Sequence, residues 1–591
     1  MLNYLAKNLL MDRQRRLSFQ EVLEQLQIVS DDVDNDSDND SESASISETE
    51  SIADDDELPM QEQLSDIDVY EEETEDDGNN EDQDSNDNEA SSEDEEQVAI
   101  TAGNATYYDT AFPSRLRRRN ILTQQPRIIA SPKNEVDAFK LFYQPDIILH
   151  IVRETNRKAR DVRRECNLLP NSVYKNFTSQ EVEAGLAIMI RAGYDRDNFT
   201  DLPRLWDSID SRPFYRVTMA LNRFKFLLRC MRFDNYRNRP GRQRNDRLAA
   251  IREVWEIFNS NLRNIYIPND GLTVDEQLVG YRGKIPGRTY MPSKPRKYGV
   301  KFFWLCEATT GFALNGMIYS GRESDSGPHR NLANDIVMQL CSVYFGTGRD
   351  IYVDRYFTSH GLVCNLLQQN LTLVGTVMAN RREVPSQFKT AKGREVESTK
   401  TLYDHSNKIL LLSYVPKRNK NVLMMSSSHS SVSNTDCHKK PNIIMDYNKH
   451  KGGVDTLDEN CEEFSCLRKT NRWPMVINYN LINVATNNAF LVMKGNGKSA
   501  KKMDFLKKLS FQLAKAYVSS QKLRGETKFL AEKMGFIDAD AANTRDQTVQ
   551  GVKRGRCYRC MKSTRLACSI CRRRVCPQHR KMPRNTYCLE C

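Results

Sequence analysis

The chain has 591 residues, too many for one hydrophobic core, so several domains are expected. Its formal net charge of +7 hides an asymmetry: residues 31–100 hold 31 of the 79 acidic residues and no Lys or Arg. The rest carries +38, from 86 basic against 48 acidic residues, which favours nucleic acid as a partner. No run of 18 apolar residues exists, so no membrane span is expected, and the 15 cysteines are expected in a reducing compartment.

Residues 1–130 are predicted to be a disordered acidic region that ends in a basic arm. Residues 31–100 are dominated by Asp, Glu, Ser and Asn, and such a segment cannot bury a core. The block either shields the basic body until DNA arrives or is a solvated tail. The arm, residues 114–119, suits phosphate contact or nuclear targeting.

Residues 131–270 are predicted to be helical, and Thr178-Ser179-Gln180-Glu181 fits a capping box. From residue 271 short apolar strands alternate with helices. Three hairpin-like strands followed by helix, strand, helix and strand is the order of a ribonuclease-H-like mixed sheet, an α/β fold. The three hairpin strands are predicted at 272–279, 299–306 and 312–319, and the later elements at 334–344, 351–354, 362–369 and 371–378.

Two of these strands carry an aspartate in an apolar setting. Asp275 interrupts the first strand and Asp354 ends the fourth, and these strands are neighbours in such a sheet. A buried charge is unfavourable unless a partner or a metal ion takes it, whereas a lone edge-strand Asp would face water. We therefore expect the two carboxylates to face each other.

Two further aspartates follow a β-rich insertion with strands predicted at 409–415 and 422–425. Gly452-Gly453 precedes a predicted helix that carries Asp455 and Asp458 on one face, although acids in a first turn also favour the helix dipole. Asp446 is a competing acid, but residues 443–446 are predicted to be a strand without the glycine pair.

Three carboxylates in one place suit phosphodiester cleavage. The reaction needs an activated water or hydroxyl and a neutralised leaving oxygen, and two divalent cations about 3.5–4 Å apart provide both. Hard cations prefer carboxylate oxygens, so two Mg²⁺ or Mn²⁺ ions are expected at Asp275, Asp354 and Asp455.

Basic and aromatic residues interleave after the first strand, within residues 281–298. This mixture suits phosphate contact and base stacking, although an ordinary basic loop would look the same. Arg472 and Trp473 follow the last aspartates, where Trp473 either stacks on a displaced base or packs in a core. The candidate DNA-contacting residues of the loop are Arg282, Lys284, Arg288, Lys294, Arg296 and Lys297.

The C-terminal tail carries four ligand pairs at zinc spacing. Eight thiolate or imidazole groups so spaced make two tetrahedral Zn²⁺ sites, and zinc binding would supply the folding energy that so short a segment lacks. A cross-brace pairs Cys557, Cys560, Cys576 and His579 on one ion and Cys568, Cys571, Cys588 and Cys591 on the other, while a sequential pairing stays open. The histidines His360 and His450 are assigned no ligand role.

Six segments in this order resemble the piggyBac transposases: LTVDEQLVGYRG, MPSKPRKYGVK, IYVDRYFTS, VGTVMANRREVP, YNKHKGGVDTLDE and LRKTNRWPM. The resemblance covers about residues 135–495 and the carboxyl terminus. The domains it implies are an all-helical dimerisation and DNA-binding domain at 131–270, a ribonuclease-H-like catalytic domain at 271–379 and 441–545 (the latter with a helical region), a β-rich insertion domain at 380–440 and a Cys-rich domain at 553–591 that binds transposon ends.

The resemblance also implies an activity. The family's catalytic aspartates fall on Asp275, Asp354 and Asp455, and its additional essential acid falls on Asp458. By resemblance, a nuclear homodimer cuts double-stranded transposon ends, leaves hairpins on them and inserts at TTAA. Water is then the first nucleophile and the freed 3′-hydroxyl the later one.

Two other functions stay open. One is a domesticated, nuclear DNA-binding or chromatin protein that keeps the fold but does not transpose. The other is a zinc-dependent interaction protein such as a ubiquitin ligase, which uses a similar cross-brace, although its His normally comes earlier. Retention of all four acids favours the active transposase.

Overall fold

The computed structural model describes residues 68–69, 99–112, 122–292, 294–321, 331–433, 440–498, 501–538, 555–568 and 573–579. Most of the acidic block, the basic arm and the predicted zinc ligands Cys571, Cys588 and Cys591 lie outside these residues. No helix within the described ranges is long and apolar enough to cross a membrane.

A β-hairpin lies in the region that the sequence predicts to be disordered. It turns at Gly103, whose φ is +59°, and it buries Tyr107 completely. Tyr108 exchanges backbone hydrogen bonds of 2.9 and 2.8 Å with Tyr403. The prediction of disorder for residues 1–130 is therefore wrong here, because β-forming residues follow where the acidic composition ends. The strands described in this region are β1 (Asp68–Val69), β2 (Ile100–Ala102), β3 (Ala105–Tyr107) and β4 (Arg127–Ile128), of which β2 and β3 form the hairpin.

Helices occupy the next part of the chain. The predicted capping box is confirmed, because Thr178 Oγ1 accepts from the Glu181 backbone N–H at 3.2 Å and the Glu181 carboxylate accepts from the Thr178 N–H at 3.1 Å. Glu181 is buried and pairs with Arg223 at 3.0 Å, which joins two helices. These helices are α1 (Glu135–Lys140), α2 (Pro145–Glu165), α3 (Ser179–Tyr194), α4 (Leu202–Leu205), α5 (Pro213–Thr218), α6 (Leu221–Cys230), α7 (Arg239–Arg242) and α8 (Arg252–Asn261).

A mixed sheet forms the centre of the fold. The elements of this part of the chain are β5 (Tyr266–Ile267), β6 (Gly271–Gly280), β7 (Arg288–Tyr290), β8 (Tyr298–Glu307), β9 (Ala313–Ile318), α9 (Leu332–Cys341), β10 (Asp350–Val353), α10 (His360–Gln368), β11 (Thr372–Thr376), α11 (Ser386–Lys389), β12 (Thr399–Asp404), β13 (Ile409–Lys417) and β14 (Lys420–Ser426).

The strand order in the sheet is β1-β7-β8-β6-β10-β11-β14-β13-β12, with β9 beside β8. Strands β6, β10 and β11 are parallel, whereas β8 is antiparallel to β6. The predicted first and fourth strands, β6 and β10, are thus neighbours, and the predicted α/β fold with a mixed sheet is confirmed.

The insertion at residues 380–440 extends this sheet and does not fold apart from it. Strand β14 pairs with β11, and β13 and β12 continue the same sheet outward. The sequence predicts β13 and β14 but not β12, whose first three side chains are polar and incompletely buried. The insertion is therefore continuous with the sheet whose strand β10 ends just before Asp354.

Helices again dominate after the insertion. The strand predicted at 443–446 is wrong: Ile443, Ile444 and Tyr447 are buried at helical spacing, whereas Met445 is 39% exposed. One helix face, and not strand alternation, thus explains the apolar pattern. The helices are α12 (Asn442–His450), α13 (Gly453–Glu463), α14 (Trp473–Gly495), α15 (Lys502–Ser520) and α16 (Gly525–Lys533), followed by the short strands β15 (Gly555–Arg556) and β16 (Ser563–Thr564).

A buried ion pair fastens α10 to β12. His360 Nε2 lies 2.8 Å from Asp404 Oδ2, and Asn407 donates two further hydrogen bonds to the same carboxylate. Burial alone would lower the pKa of His360, but the hydrogen bonds to Asp404 and Cys364 raise it to about 9. Burial would raise the pKa of Asp404, but the hydrogen bonds from His360 and Asn407 lower it. The pair is therefore ionised at neutral pH.

Asp404→Asn is expected to lower the free energy of unfolding by about 2 kcal/mol near pH 6, because a buried charged hydrogen bond is lost. The pKa of His360 in the folded protein lies above the ordinary value of 6.5. The stabilisation from His360 is therefore complete below pH 6.5 and is lost as the pH rises through about 9. The pKa of Asp404 is depressed, so its contribution is lost only as the pH falls below the ordinary carboxyl range.

Urea unfolding of wild type and variant between pH 6 and pH 9.5 measures this difference. Asp109→Asn, at an exposed acid of the N-terminal hairpin region, is the matched control and should unfold like wild type. A difference between wild type and Asp404→Asn that stays constant across this range would contradict an ionised pair.

Candidate catalytic and metal-binding sites

Asp275 and Asp354 come from neighbouring strands at the same level of the sheet. The parallel register of β6 and β10 places Val274 opposite Val353, and each aspartate is the next residue along its chain. Both side chains are half-buried. The carboxylates are thus brought together across 79 residues of sequence, as the apolar strand pattern predicts.

The surroundings of the two carboxyl groups disfavour their charged forms. Burial first, and then the charges of Glu276 and Asp354, raise the pKa of Asp275 well above its usual range. Burial and the charge of Glu276 raise the pKa of Asp354 to about 6, although the Tyr356 backbone N–H donates to its Oδ1 at 3.0 Å. The local protein groups therefore do not fully stabilise the charged forms of these two carboxyl groups.

Lys301 is a cation that the sequence analysis did not single out. It lies on β8 with 2% of its surface exposed, and its Nζ is 4.8 Å from the centre of the Phe303 ring. Burial lowers its pKa, while the charges of Glu276, Asp275 and Asp354 act in the opposite direction. A lysine inside the apolar run GVKFFWLC was the available signal, because a buried charge requires a counter-charge nearby.

Helix α13 brings the other two acids to the sheet. Asp458 accepts a hydrogen bond of 2.9 Å from Gln277 Nε2 on β6, and burial raises its pKa. Gln277 Oε1 in turn accepts from Trp304 Nε1 at 3.0 Å and from Asn480 Nδ2 at 2.8 Å. The orientation of Asp458 thus depends on a network that reaches from β8 to α14.

Asp455, one turn earlier, is more open. Its side chain is 68% exposed, and its Oδ1 lies 4.0 Å from Lys294 Nζ in the basic loop. Asp455 and the two strand acids all act electrostatically on Tyr447. Burial raises the pKa of Tyr447 to about 12, with further contributions from the charges of Asp354, Asp275 and Asp455. The three aspartates therefore act on one common region.

The glycine that begins α13 has a steric reason. A Cβ on Gly453 would lie 2.9 Å from Thr273 Oγ1 and 3.1 Å from the Glu307 carbonyl oxygen, so only glycine lets α13 begin this close to β6 and β8. The preceding Gly452 has no such constraint, since a Cβ there would meet nothing within 4 Å. Gly311, at the hairpin turn between β8 and β9, has a φ of +69°, and a Cβ there would meet the first turn of the same helix. The position of Asp455 is therefore set by backbone contact.

The acids fit divalent cations by their chemistry. They offer oxygen donors, which hard cations prefer, in a place where the protein groups alone do not fully stabilise the charged carboxylates. A tighter ligand set lies elsewhere. In the C-terminal tail, four Cys and His residues have ligand atoms within 4.8 Å of one another, and the described ranges hold no other group of three or more Cys, His, Asp or Glu as close. The aspartates Asp275, Asp354 and Asp455 are not drawn together so closely.

The predicted DNA-contacting residues divide into open and engaged groups. Lys294 lies near Asp455, Arg296 pairs with Glu462 at 3.2 Å, and the Arg288 guanidinium is 5.7 Å from the centre of the Tyr298 ring. The exposed cations of the loop are Arg282, Lys284 and Lys297.

Arg472 does not fit the predicted DNA-contacting role. Its side chain is buried, and its guanidinium donates to the backbone carbonyls of Leu228, at 3.1 Å, and Met231. It therefore links the start of α14 to the end of α6. The adjacent Trp473 is half-buried and packs against the hydrophobic core. Sequence alone did not show this, because a basic residue beside an aromatic one looks the same in a core and at a DNA surface.

Four of the predicted zinc ligands of the tail come together around one point. Cys557, Cys560, Cys576 and His579 place one ligand atom each within 4.8 Å of the others, and Cys576 Sγ is 3.3 Å from His579 Nδ1. Burial raises the pKa of the Cys557 thiol, but the backbone N–H groups of Arg559, Cys560 and Cys576 lower it to about 5. A thiolate at this position is ready to bind zinc.

This set matches the first ion of a cross-brace. A sequential pairing would instead have joined Cys557 and Cys560 to Cys568, which is buried but is not a member of this set. Of the predicted second set, Cys568 alone lies in the described residues. The C-terminal segment contacts α16 at Arg573, whose guanidinium is 3.9 Å from Glu526.

Known proteins resemble this chain. The family model described as Transposase IS4 matches residues 134–490. The human protein PiggyBac transposable element-derived protein 2 is 23% identical over 378 residues, 60% of each chain, so this chain spans about 60% of that relative's length. The human PiggyBac transposable element-derived protein 3 is 22% identical over 491 residues, covering 76% of this chain and 78% of that protein.

A solved structure shares the fold. It is the cryo-EM structure of a piggyBac transposase synaptic complex with hairpin DNA. The alignment has a TM-score of 0.70 and 31% sequence identity, and it covers 79% of this chain and 100% of that chain. The described fold and the sequence motifs therefore point to the same relatives.

Two zinc ions per chain are expected by mass spectrometry of the purified protein, since eight ligands make two tetrahedral sites. Cys576→Ser should bind one zinc ion fewer, because it removes a thiolate from the assembled set. Cys166→Ser is the control, since Cys166 is exposed and lies far from the tail in sequence. An unchanged zinc content in Cys576→Ser would show that the ligand assignment is wrong.

Proposed function

The chain belongs to the piggyBac-type transposases of the IS4 transposase family, and we propose that it is an active cut-and-paste DNA transposase. The proposed catalytic acids are Asp275, Asp354, Asp455 and Asp458. One observation carries the proposal: acids on two neighbouring parallel strands and on the packed helix α13 concentrate negative charge in one region beside a basic loop.

The protein groups have distinct tasks in this proposal. Asp275, Asp354 and Asp455 would hold two Mg²⁺ or Mn²⁺ ions, which would activate the attacking oxygen and neutralise charge on the leaving oxygen. Gln277 orients the Asp458 carboxylate through the hydrogen bond of 2.9 Å. Lys301, buried on β8, would act on the same acids with its positive charge and limit their mutual repulsion.

The proposed reaction uses two kinds of displacement at phosphorus, hydrolysis and attack by a 3′-hydroxyl, and each recurs, because opening a hairpin by water frees the 3′-hydroxyl again for insertion. A water forms the new P–O bond in the first, and the bond to the 3′ oxygen breaks, so that a 3′-hydroxyl is freed. This hydroxyl attacks a further phosphodiester in the second and loses its proton as the new bond forms and the old one breaks. No covalent bond to the enzyme is required at either step.

The DNA side of the proposal rests on the basic surface beside the acids. The exposed cations Arg282, Lys284 and Lys297 would contact phosphates of double-stranded transposon ends. By analogy with the solved transposase complex, hairpin DNA is an intermediate, and we propose TTAA as the target and a homodimer as the acting form. A DNA substrate and the basic arm at 114–119 also favour a nuclear location.

A second candidate is a DNA-binding protein that does not transpose. It is favoured by the human relatives, whose names describe transposable element-derived proteins. The presence of all four acids favours the enzyme. Terminal inverted repeats flanked by TTAA around the coding sequence would support an autonomous element, whereas their absence would support domestication.

A cleavage assay tests the enzyme directly. Full-length protein with Mg²⁺ should nick DNA that carries the flanking terminal repeat. Asp275→Asn should lower the rate at least about 1,000-fold, since catalytic groups that act as a unit have large effects. Asp270→Asn is the matched control, because this acid is exposed and lies just before β6. Wild type that cuts no faster than Asp275→Asn would contradict the proposal and favour the DNA-binding alternative.

A further inference from the structure

A polar cluster on α12 lies outside the acid set described above. Asp446 Oδ2 accepts a hydrogen bond of 2.9 Å from the Tyr352 hydroxyl, and Asp446 Oδ1 is 3.0 Å from His450 Nδ1. His429 approaches from the end of the insertion, with its Nε2 at 3.6 Å from Asp446 Oδ2, and Ser426 Oγ lies 2.9 Å from the other ring nitrogen of His429. The carboxylate thus joins three separate segments of the chain.

This cluster is anchored on the strands that carry the first two acids. Tyr352 is on β10 two residues before Asp354, and its register partner on β6 is Thr273, two residues before Asp275. The rings of Tyr352 and His450 pack with their centres 4.8 Å apart. A Cβ added to Gly271 would lie 3.2 Å from the Tyr352 ring and 3.6 Å from the His450 ring, so the packing is tight.

The cluster also contacts the chain just before α13, the helix that carries Asp455 and Asp458. Thr273 Oγ1 donates a hydrogen bond of 2.7 Å to the His450 carbonyl oxygen. Helix α12 ends at His450 and α13 begins at Gly453, where the chain touches Thr273 again. With so short a connection, a displacement of His450 must be passed to Asp455, five residues further along the chain.

We propose that Asp446, His450 and Tyr352 form a positioning bracket that sets α13, and with it Asp455 and Asp458, against the strand acids. These residues act through α13 and contact no reacting atom, so they are positioning residues. The inference rests on the proposed function, since it assigns the bracket to the same acid set. Asp446 itself is not a member of that set, because its oxygens are taken by Tyr352 and His450.

The bracket also connects the insertion to the acids. Ser426 ends β14, and His429 follows it within three residues. A change in the insertion therefore reaches Asp446 through His429, and through Asp446 the start of α13. The contacts of Asp446 with His429 and His450 are additional to the apolar packing of the strands.

The test measures the Mn²⁺ dependence of cleavage by the zinc-loaded full-length protein. Tyr352→Phe removes one hydroxyl and keeps the ring packing, and Asp446→Ala removes the carboxylate. Both should raise the Mn²⁺ concentration at half-maximal rate about tenfold, the size expected when outer groups that orient ligands are lost. Asp446→Asn should restore most of the wild-type value, since its amide oxygen still accepts a hydrogen bond.

Met445→Ala is the matched control, because Met445 is the neighbouring residue on α12 and faces solvent. It should keep the wild-type Mn²⁺ dependence. A purely structural role would lower the melting temperature or the maximal rate of Asp446→Ala and leave the half-maximal Mn²⁺ concentration unchanged. An unchanged value in both Tyr352→Phe and Asp446→Ala would overturn the inference.

Direct Mn²⁺ binding, followed by electron paramagnetic resonance, separates this inference from the proposed function. Wild type that binds Mn²⁺ through Asp275 but cuts no DNA would contradict the proposed function alone. In that case weaker Mn²⁺ binding by Asp446→Ala still supports the bracket, and binding equal to wild type overturns it. Wild type that binds no more Mn²⁺ than Asp275→Asn would overturn both.

Discussion

The structure depends on holding like charges together in a half-buried place. Asp275 and Asp354 end up side by side because β6 and β10 are parallel neighbours in fixed register. Burial raises both pKa values, and each added acid makes the charged state less favourable. Such an arrangement persists only if other contacts fix the backbone firmly, and it is most favourable with a bound cation.

Much of the surrounding architecture supplies that fixation. The β6–β8 ladder runs through Asp275, and Trp304 opposite it reaches the Gln277 amide. The almost fully buried helix α14 adds Asn480 to the same amide, and Gly453 allows α13 to start in contact with β6. These contacts come from neutral groups, namely the amides of Gln277 and Asn480 and the indole of Trp304, and from the backbone at Gly453, so they add no charge of their own.

The sequence was informative where a charged residue interrupts an apolar strand pattern. An aspartate inside an apolar strand is an anomaly that predicts a site, and strand order alone then predicted which aspartates meet. The order of strands and helices, the capping box at Thr178 and the spacing of the zinc ligands follow from equally local rules. These parts of the fold were accessible because each depends on neighbours in sequence or on one topological rule.

Other features could not be read in advance, because they depend on contacts between distant segments. Gln277 and Asn480 are ordinary amides until the fold joins them, and Arg472 is buried only because α6 offers it two carbonyls. The strand predicted at 443–446 failed because three apolar residues in a row fit a strand and a helix face equally well. The hairpin at Gly103 was not predicted, because the acidic composition of the segment before it indicated disorder.

Asp275, Asp354 and Asp455 are proposed to form one cation site. Calorimetry of Mn²⁺ binding to the zinc-loaded full-length chain at neutral pH measures this binding directly. We expect two Mn²⁺ ions per wild-type chain, as in two-metal sites, and binding at least about tenfold weaker in Asp354→Asn. Equal Mn²⁺ binding by wild type and Asp354→Asn would show that these acids do not form the site.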